Sequence, residues 1–142
     1  MIEELNKKDI DELMKLWLKT SIEAHSFIDK KYWLDNYDVV KNEYIPISKT
    51  FVYKENNKVK GFISVIDNFY IGALFVLKEE QNKGIGRKLI DFCKVRYKKL
   101  ELAVYVENKN AVEFYKRCEF QVISKQNNED SNHYEYIMKL EK

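Results

Sequence analysis

The first third of the chain has apolar residues spaced as on one face of a helix. The clearest series is Ile10, Leu13, Met14 and Trp17. Asp9 and Glu12 have the spacing of a capping box at the start of that series, so the pattern predicts a helix over residues 10–20. A weaker helical pattern covers residues 30–44. We expect this helix to end before Pro46, because the residue before a proline is pushed out of the helical region.

Between residues 50 and 77 the pattern changes to that of strands. The segment KTFVYKENNKVKGFISVI predicts two strands joined by a turn at residues 55–57. NFYIGALFVL predicts a third strand, which the chain enters through Asp67 and Asn68. Alternating apolar residues around Asn-rich turns are typical of hairpins, so the three strands should form an antiparallel meander.

The second half of the chain alternates helical and extended patterns. Residues 84–97 have helical spacing, residues 100–106 predict a strand, and Asn108 is placed to cap a further helix. FQVIS at 120–124 and HYEYIMKL at 133–140 predict a last strand pair across the polar loop QNNEDSN. Because a strand, a helix and a strand follow one another, one strand pair should be parallel, and the class is mixed α/β with a central sheet.

Length and composition predict one domain spanning residues 1–142, since 45% hydrophobic residues in 142 are enough for a single core. The 25 basic and 23 acidic residues are interleaved and give a net charge of +2, so no nucleic-acid partner is expected. No apolar run approaches the roughly 20 residues that span a bilayer, and the segment MIEELNKKDI lacks the apolar stretch of a signal peptide. We therefore expect a cytoplasmic protein without a membrane partner.

The two cysteines, Cys93 and Cys118, match no metal-ligand spacing and are too few for a disulfide framework. We interpret them as reduced, packed side chains. No metal site is predicted.

Residues 81–86, QNKGIG, contain two of the four glycines of the chain. They follow a predicted strand and lead into a predicted helix, whose first backbone N–H groups have no helical partner. Glycine at 84 and 86 lets an anion approach the main chain, and the helix dipole, Lys83 and Arg87 add positive potential there. The loop therefore predicts a phosphate site.

Other interpretations of this loop are possible from its glycines alone. A Walker loop is excluded because the glycine five residues before GK[ST] is missing, and a dinucleotide loop is excluded because Leu89 stands where a third glycine is needed. An ordinary strand-to-helix turn, with glycines used for conformation, remains the alternative.

Two motifs in this order resemble those of the GNAT superfamily of N-acetyltransferases. QNKGIG at 81–86 resembles its Q/R-x-x-G-x-G/A acetyl-coenzyme A signature, and NKNAVEFY at 108–115 resembles its N-x-x-A-x-x-F/L-Y helix. The resemblance extends over nearly the whole chain and includes small bacterial members, some of them protein-lysine acetyltransferases. It implies a mixed, mostly antiparallel sheet of about six to seven strands with about four helices, splayed between strands 69–76 and 100–106.

The resemblance also implies how acetyl-coenzyme A would be bound. The pyrophosphate would lie on backbone amides of the loop, in the following residues: Asn82, Lys83, Gly84, Ile85, Gly86 and Arg87. The pantetheine arm would pair with the strand edge at Leu74, Phe75 and Val76, which a bulge at Gly72-Ala73 would open. Asn108 would hydrogen-bond the same arm.

The catalytic residues implied by the resemblance are Leu74 and Tyr115. The N–H near Leu74 would stabilise the oxyanion, and Tyr115 would protonate the departing thiolate. Without the motif, Tyr115 would be interpreted as a core aromatic on an amphipathic helix.

Two positions differ from the family pattern. Ala103 stands where many relatives have the glutamate that deprotonates the amine, which leaves Glu101, Glu107, His25, a held water or a neutral substrate as alternatives. Glu119 stands where relatives usually have glycine, so it must adopt a left-handed conformation or end the helix in another way.

On the acceptor side, the segment around His25, Tyr32 and Trp33 would cover the cleft. His25 is either part of this cover or a surface or hydrogen-bonded structural histidine. Tyr32 and Trp33 are either core or an aromatic wall suited to an ammonium group through cation–π contact.

The predicted function is N-acetyl transfer from acetyl-coenzyme A to a primary amine, either a small molecule or a protein lysine, by direct attack in a ternary complex. The alternatives are an acetyl-coenzyme A sensor with little turnover and a nucleotide-binding module. We expect a monomer or a homodimer, and the sequence does not identify the acceptor.

Overall fold

The computed structural model describes residues 1–141, which form seven strands and four helices of eight or more residues. The strands are β1 (Ile2–Glu4), β2 (Lys49–Glu55), β3 (Lys58–Ile66), β4 (Tyr70–Val76), β5 (Lys99–Tyr105), β6 (Gln121–Asn128) and β7 (His133–Glu141). The helices are α1 (Ile10–Ala24), α2 (Lys30–Val39), α3 (Ile85–Arg96) and α4 (Lys109–Arg117). The strands form one sheet in the order β1-β2-β3-β4-β5-β7-β6.

The sheet separates two apolar cores, because side chains alternate between its faces along each strand. One face packs against α1 and α2, and its buried residues include Leu13, Trp17 and Phe62. The other face packs against α3 and α4, with Leu89 and Leu102 among its fully buried residues. The predicted class, a mixed α/β sheet flanked by about four helices, is confirmed.

The turns of the predicted meander are stabilised by residues that tolerate a left-handed backbone. Asn56 and Asn57 join β2 to β3 with φ of 54° and 61°, and Asp67 and Asn68 join β3 to β4 with φ of 56° and 66°. Asn and Asp are the residues that most readily adopt this conformation after glycine, which explains why these short polar pairs end each strand.

A β-bulge interrupts β4 where the sequence predicts one. Ser64 of β3 pairs with Ala73 and its neighbour Val65 pairs with Ile71, so Gly72 is the extra residue. The bulge changes which residues point their backbone groups toward β3 and which point away.

Strands β4 and β5 are the only parallel neighbours among the described residues, and they separate soon after they meet. Tyr70 pairs with Glu101 and Ile71 with Leu102, and no further pairs follow. Beyond these pairs a gap opens in the middle of the sheet. The predicted splay between strands 69–76 and 100–106 is therefore confirmed.

The prediction that the second helix ends before Pro46 is wrong. After α2 the chain makes a π-helical turn over Val40–Tyr44 and continues as a short helix over Ile45–Ile47. The Ile45 N–H reaches back to the Val40 carbonyl in the wide π pattern. Pro46 then lies in the first turn of the last segment, where its missing N–H leaves no hydrogen bond unmade.

The predicted capping box at α1 is also not formed, although the helix is present and longer than expected. The Asp9 carboxylate accepts a hydrogen bond from Lys54 Nζ at 2.9 Å instead of from the helix. Glu12 Oε2 accepts the Val59 N–H at 2.9 Å. Both acids therefore attach α1 to the β2–β3 hairpin.

Two strand boundaries differ from those that the sequence predicts. The short edge strand β1 was not expected, because three residues carry too little pattern. Strand β6 continues through the polar residues Gln126 and Asn128, so the predicted loop shrinks to residues 129–132. This polar end of an edge strand has side chains with partners on β7, as described below.

Candidate active site

Backbone groups of β4 line the gap between β4 and β5. The Leu77 N–H donates to the Lys60 carbonyl of β3 at 2.9 Å. Because alternate residues of a strand point in opposite directions, Leu74 and Val76 present their N–H and C=O groups to the gap. The Val76 carbonyl there accepts a hydrogen bond from Gln81 Nε2 at 3.0 Å. The Phe75 side chain packs on Phe62 on the α1 and α2 face.

The N-terminus of α3 lies at one end of this gap and is not capped by a side chain. Gly84 is the N-cap residue with φ of 86°, and no side chain hydrogen-bonds to the first turn of the helix. Asn82, two residues earlier, also has a left-handed backbone with φ of 66°. A Cβ placed on Gly84 would meet no atom within 4 Å, so the space in front of these N–H groups is open.

Ile85 and Gly86, the next two loop residues, serve the packing of α3. The Ile85 side chain is buried in the core on the α3 and α4 face of the sheet. A Cβ on Gly86 would lie 3.1 Å from Phe114 Cζ, so glycine at this position permits close contact between α3 and α4. Only the backbone of these two residues is available to a ligand.

The cationic side chains of the loop form ion pairs or hydrogen bonds with other residues of the protein. Lys83 Nζ lies 3.3 Å from Glu80 Oε1, and Lys60 Nζ lies 3.3 Å from Glu80 Oε2. These two lysines hold the pKa of the Glu80 carboxyl below its ordinary value. Arg87 Nη1 donates to the carbonyl of Arg117 at 3.1 Å, which ties the first turn of α3 to the last turn of α4.

Tyr115 of α4 lies in the core on the α3 and α4 face of the sheet, against which Leu74 and Val76 of β4 also pack. Its ring is 8% exposed and packs edge-on against Phe114 and Phe120, with centroids 5.3 and 5.6 Å away. No residue among 1–141 hydrogen-bonds to its hydroxyl, which is also not among the fully enclosed polar atoms without a partner. Burial raises the pKa of this hydroxyl, and Cys118 and Tyr70 act in the same direction. The group therefore remains a proton donor at neutral pH.

Asn108 caps α4 and connects it to the end of α1. Its Oδ1 accepts the Ala111 N–H at 3.3 Å, and its Nδ2 lies 3.3 Å from His25 Nε2. His25 Nδ1 in turn lies 2.8 Å from the Ser21 carbonyl, so it donates there and Nε2 accepts from Asn108. Burial lowers the pKa of His25. With both ring nitrogens engaged, His25 is a structural histidine in this arrangement.

The other aromatic residues of the acceptor side divide between core and cleft. Trp33 is buried and stacks on His25 with centroids 5.0 Å apart. Tyr32 is half-buried, and its hydroxyl lies beside that of Tyr105. Trp33 is therefore a core residue, whereas Tyr32 is partly exposed beside it.

The residues considered as alternative bases lie at different places along β5. Ala103 is half-buried beside the gap, and the Tyr70 hydroxyl lies against its backbone amide. Glu101 is on the same face but pairs with Tyr70 where β4 and β5 are still joined. Glu107 is exposed beyond the strand, and its carboxylate lies 3.1 Å from His133 Nδ1.

Glu119 adopts the left-handed conformation, with φ of 75°. Its N–H donates to the Lys116 carbonyl and the Phe120 N–H to the Tyr115 carbonyl, both at 3.0 Å. These are the two hydrogen bonds of a Schellman motif, so α4 ends in the geometry that glycine would give and Tyr115 keeps its position.

Glu135 on β7 is an acidic residue on the sheet face that carries Ala103, and it was not identified from the sequence. It is 8% exposed and accepts hydrogen bonds from Gln126 Nε2 at 2.8 Å and Asn128 Nδ2 at 3.5 Å. It pairs with Tyr105 across β5 and β7. The alternation in HYEYIMKL places Glu135 and Ile137 on one face, but only the strand register shows that Ala103 shares it.

Two general properties of residues 1–141 bear on the earlier expectations. Within that range no three His, Cys, Asp or Glu side chains are grouped so as to hold a metal ion. No helix there is both long and apolar enough to span a bilayer.

Comparison with known proteins identifies the class to which this fold and site belong. Residues 19–141 match the family model described as an acetyltransferase (GNAT) domain. The peptidyl-lysine N-acetyltransferase YiaC of Escherichia coli K12 is 30% identical over 123 residues, which are 87% of this chain and 84% of that protein.

Solved structures of low sequence identity share the fold over nearly the full length. Apo YjaB from Escherichia coli superposes with a TM-score of 0.85 at 22% identity, covering 98% of this chain and 95% of YjaB. The PaiA N-acetyltransferase from Thermoplasma acidophilum, solved in complex with coenzyme A, gives 0.81 at 17% identity and covers 100% and 98%.

The chain belongs to the GNAT acetyltransferase family. The predicted enzyme class, an N-acetyltransferase that uses acetyl-coenzyme A, is thereby confirmed.

Proposed function

We propose that the protein acetylates lysine side chains of proteins or peptides by direct attack of the amine on acetyl-coenzyme A in a ternary complex. The observation that carries this proposal is the gap between β4 and β5. Along this gap the Leu74 N–H points away from β3, the Val76 carbonyl accepts only from Gln81 Nε2, and the uncapped end of α3 lies at one side. The Tyr115 hydroxyl has no protein partner.

We assign the cofactor contacts to backbone groups. The N–H groups from Asn82 to Arg87 would hold the pyrophosphate, since Gly84 leaves open space in front of an uncapped helix end. Leu74, Phe75 and Val76 would carry the pantetheine arm as an added strand, for which Gln81 Nε2 would release the Val76 carbonyl. Asn108 Nδ2 has a second hydrogen with which to contact the arm while it caps α4.

The chemistry then needs an oxyanion donor and an acid. The Leu74 N–H points into the gap and would stabilise the oxyanion that develops when the amine nitrogen bonds to the thioester carbon. As the carbon–sulfur bond breaks, Tyr115 would give its proton to the thiolate and regain one from solvent. The amine would lose its extra proton to water or to Glu101, because no carboxylate stands at Ala103.

Lysine is the proposed acceptor class because of the similarity to YiaC, whose name describes a peptidyl-lysine N-acetyltransferase. A half-buried aromatic wall with Tyr32 at its open side suits an ammonium group at the end of an apolar chain.

The test is a thiol-release assay with acetyl-coenzyme A across lysine peptides, polyamines, aminoglycosides and free amino acids. Turnover with lysine peptides, together with a mass gain at the lysine, is the expected result. Turnover confined to small amines would contradict the acceptor class. Binding of acetyl-coenzyme A without release from any acceptor would favour the sensor alternative, which the alanine at position 103 keeps open.

A further inference from the structure

Glu135 is a buried carboxylate without a cationic partner. It is 8% exposed, and no Lys, Arg or His within residues 1–141 forms an ion pair with it. Its hydrogen bonds come from two neutral amides, those of Gln126 and Asn128. Burial of an uncompensated carboxylate is costly, so a protein that keeps one in place has a structural or ligand-binding use for it.

The carboxylate lies on the acceptor side of the sheet. Tyr105 pairs with Glu135 and Ala103 with Ile137, and paired residues share a face, so Glu135 lies on the same face as Ala103. Two residues along β7 and one strand across place its Cα roughly 8 Å from that of Ala103. This is within reach of a side chain that enters the gap.

This part of the face is open. Helix α1 packs on β3 and β4, while α4 covers β5 from the opposite face. Tyr70, Ala103 and Ile137 are accordingly only half-buried. A side chain from another molecule can therefore lie over these half-buried residues, next to the small exposed part of Glu135.

Three tyrosines lie on the same side of the sheet as Glu135. They are Tyr32 of α2, Tyr70 of β4 and Tyr105 of β5, and Tyr105 donates to Ser131 Oγ at 3.0 Å. Burial raises the pKa of all three, and the Glu135 carboxylate contributes in the same direction to each. The negative field of Glu135 thus reaches all three hydroxyls, so their surroundings favour a positive charge.

The neighbouring charges do not compensate Glu135. Asp130 and Glu101 are also acidic. The nearby bases have other partners, since His133 lies against Glu107 and Lys139 against Glu141. The local potential is negative, which suits a cation and disfavours an acidic ligand.

We propose that Glu135, together with the hydroxyls of Tyr32, Tyr70 and Tyr105, forms the subsite that receives the ammonium group of the primary-amine acceptor. An ammonium group has three donors, and the carboxylate and phenol oxygens offer the acceptors to match them. The proposal rests on the proposed function for the reaction that follows binding. The Glu135 carboxylate supplies the ammonium group of the acceptor with an ion-pair partner, which Ala103 cannot supply.

The first test is the kinetics of Glu135→Gln with a peptide containing a single lysine. Gln keeps the volume and an oxygen for the amide of Gln126 but removes the charge. The KM for the peptide should rise at least about tenfold, about 1.4 kcal/mol, while the KM for acetyl-coenzyme A stays the same. The matched control is Glu113→Gln on the exposed side of α4, which removes the same charge far from the cleft and should change neither constant. A peptide KM for Glu135→Gln within about twofold of the wild type would overturn the subsite.

The second test measures binding without turnover. Heteronuclear NMR of the protein saturated with coenzyme A is followed during titration with n-butylammonium chloride. The side-chain amide signals of Gln126 and Asn128, which donate to Glu135, should shift in the wild type and stay in place in Glu135→Gln. Equal shifts in both proteins, or none in the wild type, would overturn the subsite even if acetyl transfer is observed. If these signals shift and no amine is acetylated, the proposed function fails and the ammonium subsite stands.

Discussion

Replacement of Tyr115 by Phe removes the proposed acid and leaves the ring. The ring packs against Phe114 and Phe120, and these contacts are unchanged by the substitution. The hydroxyl has no hydrogen-bond partner among residues 1–141, so no protein hydrogen bond is lost. The structure therefore separates the effect on stability from the effect on the reaction.

The expected magnitudes follow from that separation. A tyrosine whose hydroxyl satisfies a structural hydrogen bond loses about 1 kcal/mol of stability when the bond is removed. Tyr115→Phe should cost less than about half of that, because it has no such bond to lose. General acid catalysis by a positioned group is worth about 10²–10⁴-fold, so kcat should fall at least about tenfold while coenzyme A affinity is kept.

The assay is steady-state thiol release with saturating lysine peptide, with a thermal melt of each variant beside it. Tyr97→Phe is the control, since Tyr97 is a half-buried tyrosine at the other end of α3 and outside the site. Burial raises the pKa of Tyr115. At pH values up to about 10, ionisation of this group should therefore leave kcat of the wild type unchanged.

Two results would refute the reasoning. Turnover of Tyr115→Phe at the wild-type rate would mean that the thiolate leaves unprotonated or takes its proton from water. A loss of about 1 kcal/mol or more in stability, with kcat unchanged, would mean that the hydroxyl is a structural group.

Two further predictions concern the glycines and the cysteines. Gly84→Ala should lower coenzyme A affinity about tenfold, measured by calorimetry, because a methyl group enters the open space before the helix end and φ of 86° is strained for a residue with a Cβ. Gly86→Ala should instead lower the free energy of unfolding by about 1–3 kcal/mol, because the methyl group meets the Phe114 ring. Adding Phe114→Leu should restore part of that stability, and unchanged stability of Gly86→Ala would contradict the contact. Replacing Cys93 and Cys118 together by Ala should keep kcat within about twofold. Burial raises the pKa of Cys93 to about 12, so this residue is not a thiolate at neutral pH. An acetylated cysteine in the wild type would refute direct transfer.

The sequence predicted the fold well where the signal is local. Helix α3 and the turns at Asn56 and Asp67 follow from apolar spacing and from residues that tolerate a left-handed backbone. It failed at Pro46, because a π turn is an adjustment to the surrounding contacts and has no local pattern. It also failed for Asp9, whose spacing fits a cap but whose carboxylate finds Lys54, 45 residues away.

At the candidate site, the local motifs predicted where the glycine loop and the second helix lie in the chain. What the individual residues contact was seen only in the structure. The glycines at 84 and 86 look equivalent in sequence, yet one faces open space and the other faces Phe114. Asn108 is predicted to contact the cofactor, and the structure shows a hydrogen bond from it to His25, which is 83 residues away. Such partners depend on tertiary packing, so spacing alone does not specify them.

The two sides of the gap are encoded in different ways, and this bears on how acceptor choice can change. The proposed cofactor contacts are mainly backbone groups in two contiguous segments, which a short motif can specify. The acceptor side depends on the register of β5, β6 and β7, which brings Glu135 beside Tyr105 and between the amides of Gln126 and Asn128. Side chains here can be exchanged without touching the loop at Gly84. Substitutions at Glu135 should therefore alter which amine is bound while the KM for acetyl-coenzyme A stays constant, and a coupled change in both constants would contradict this division.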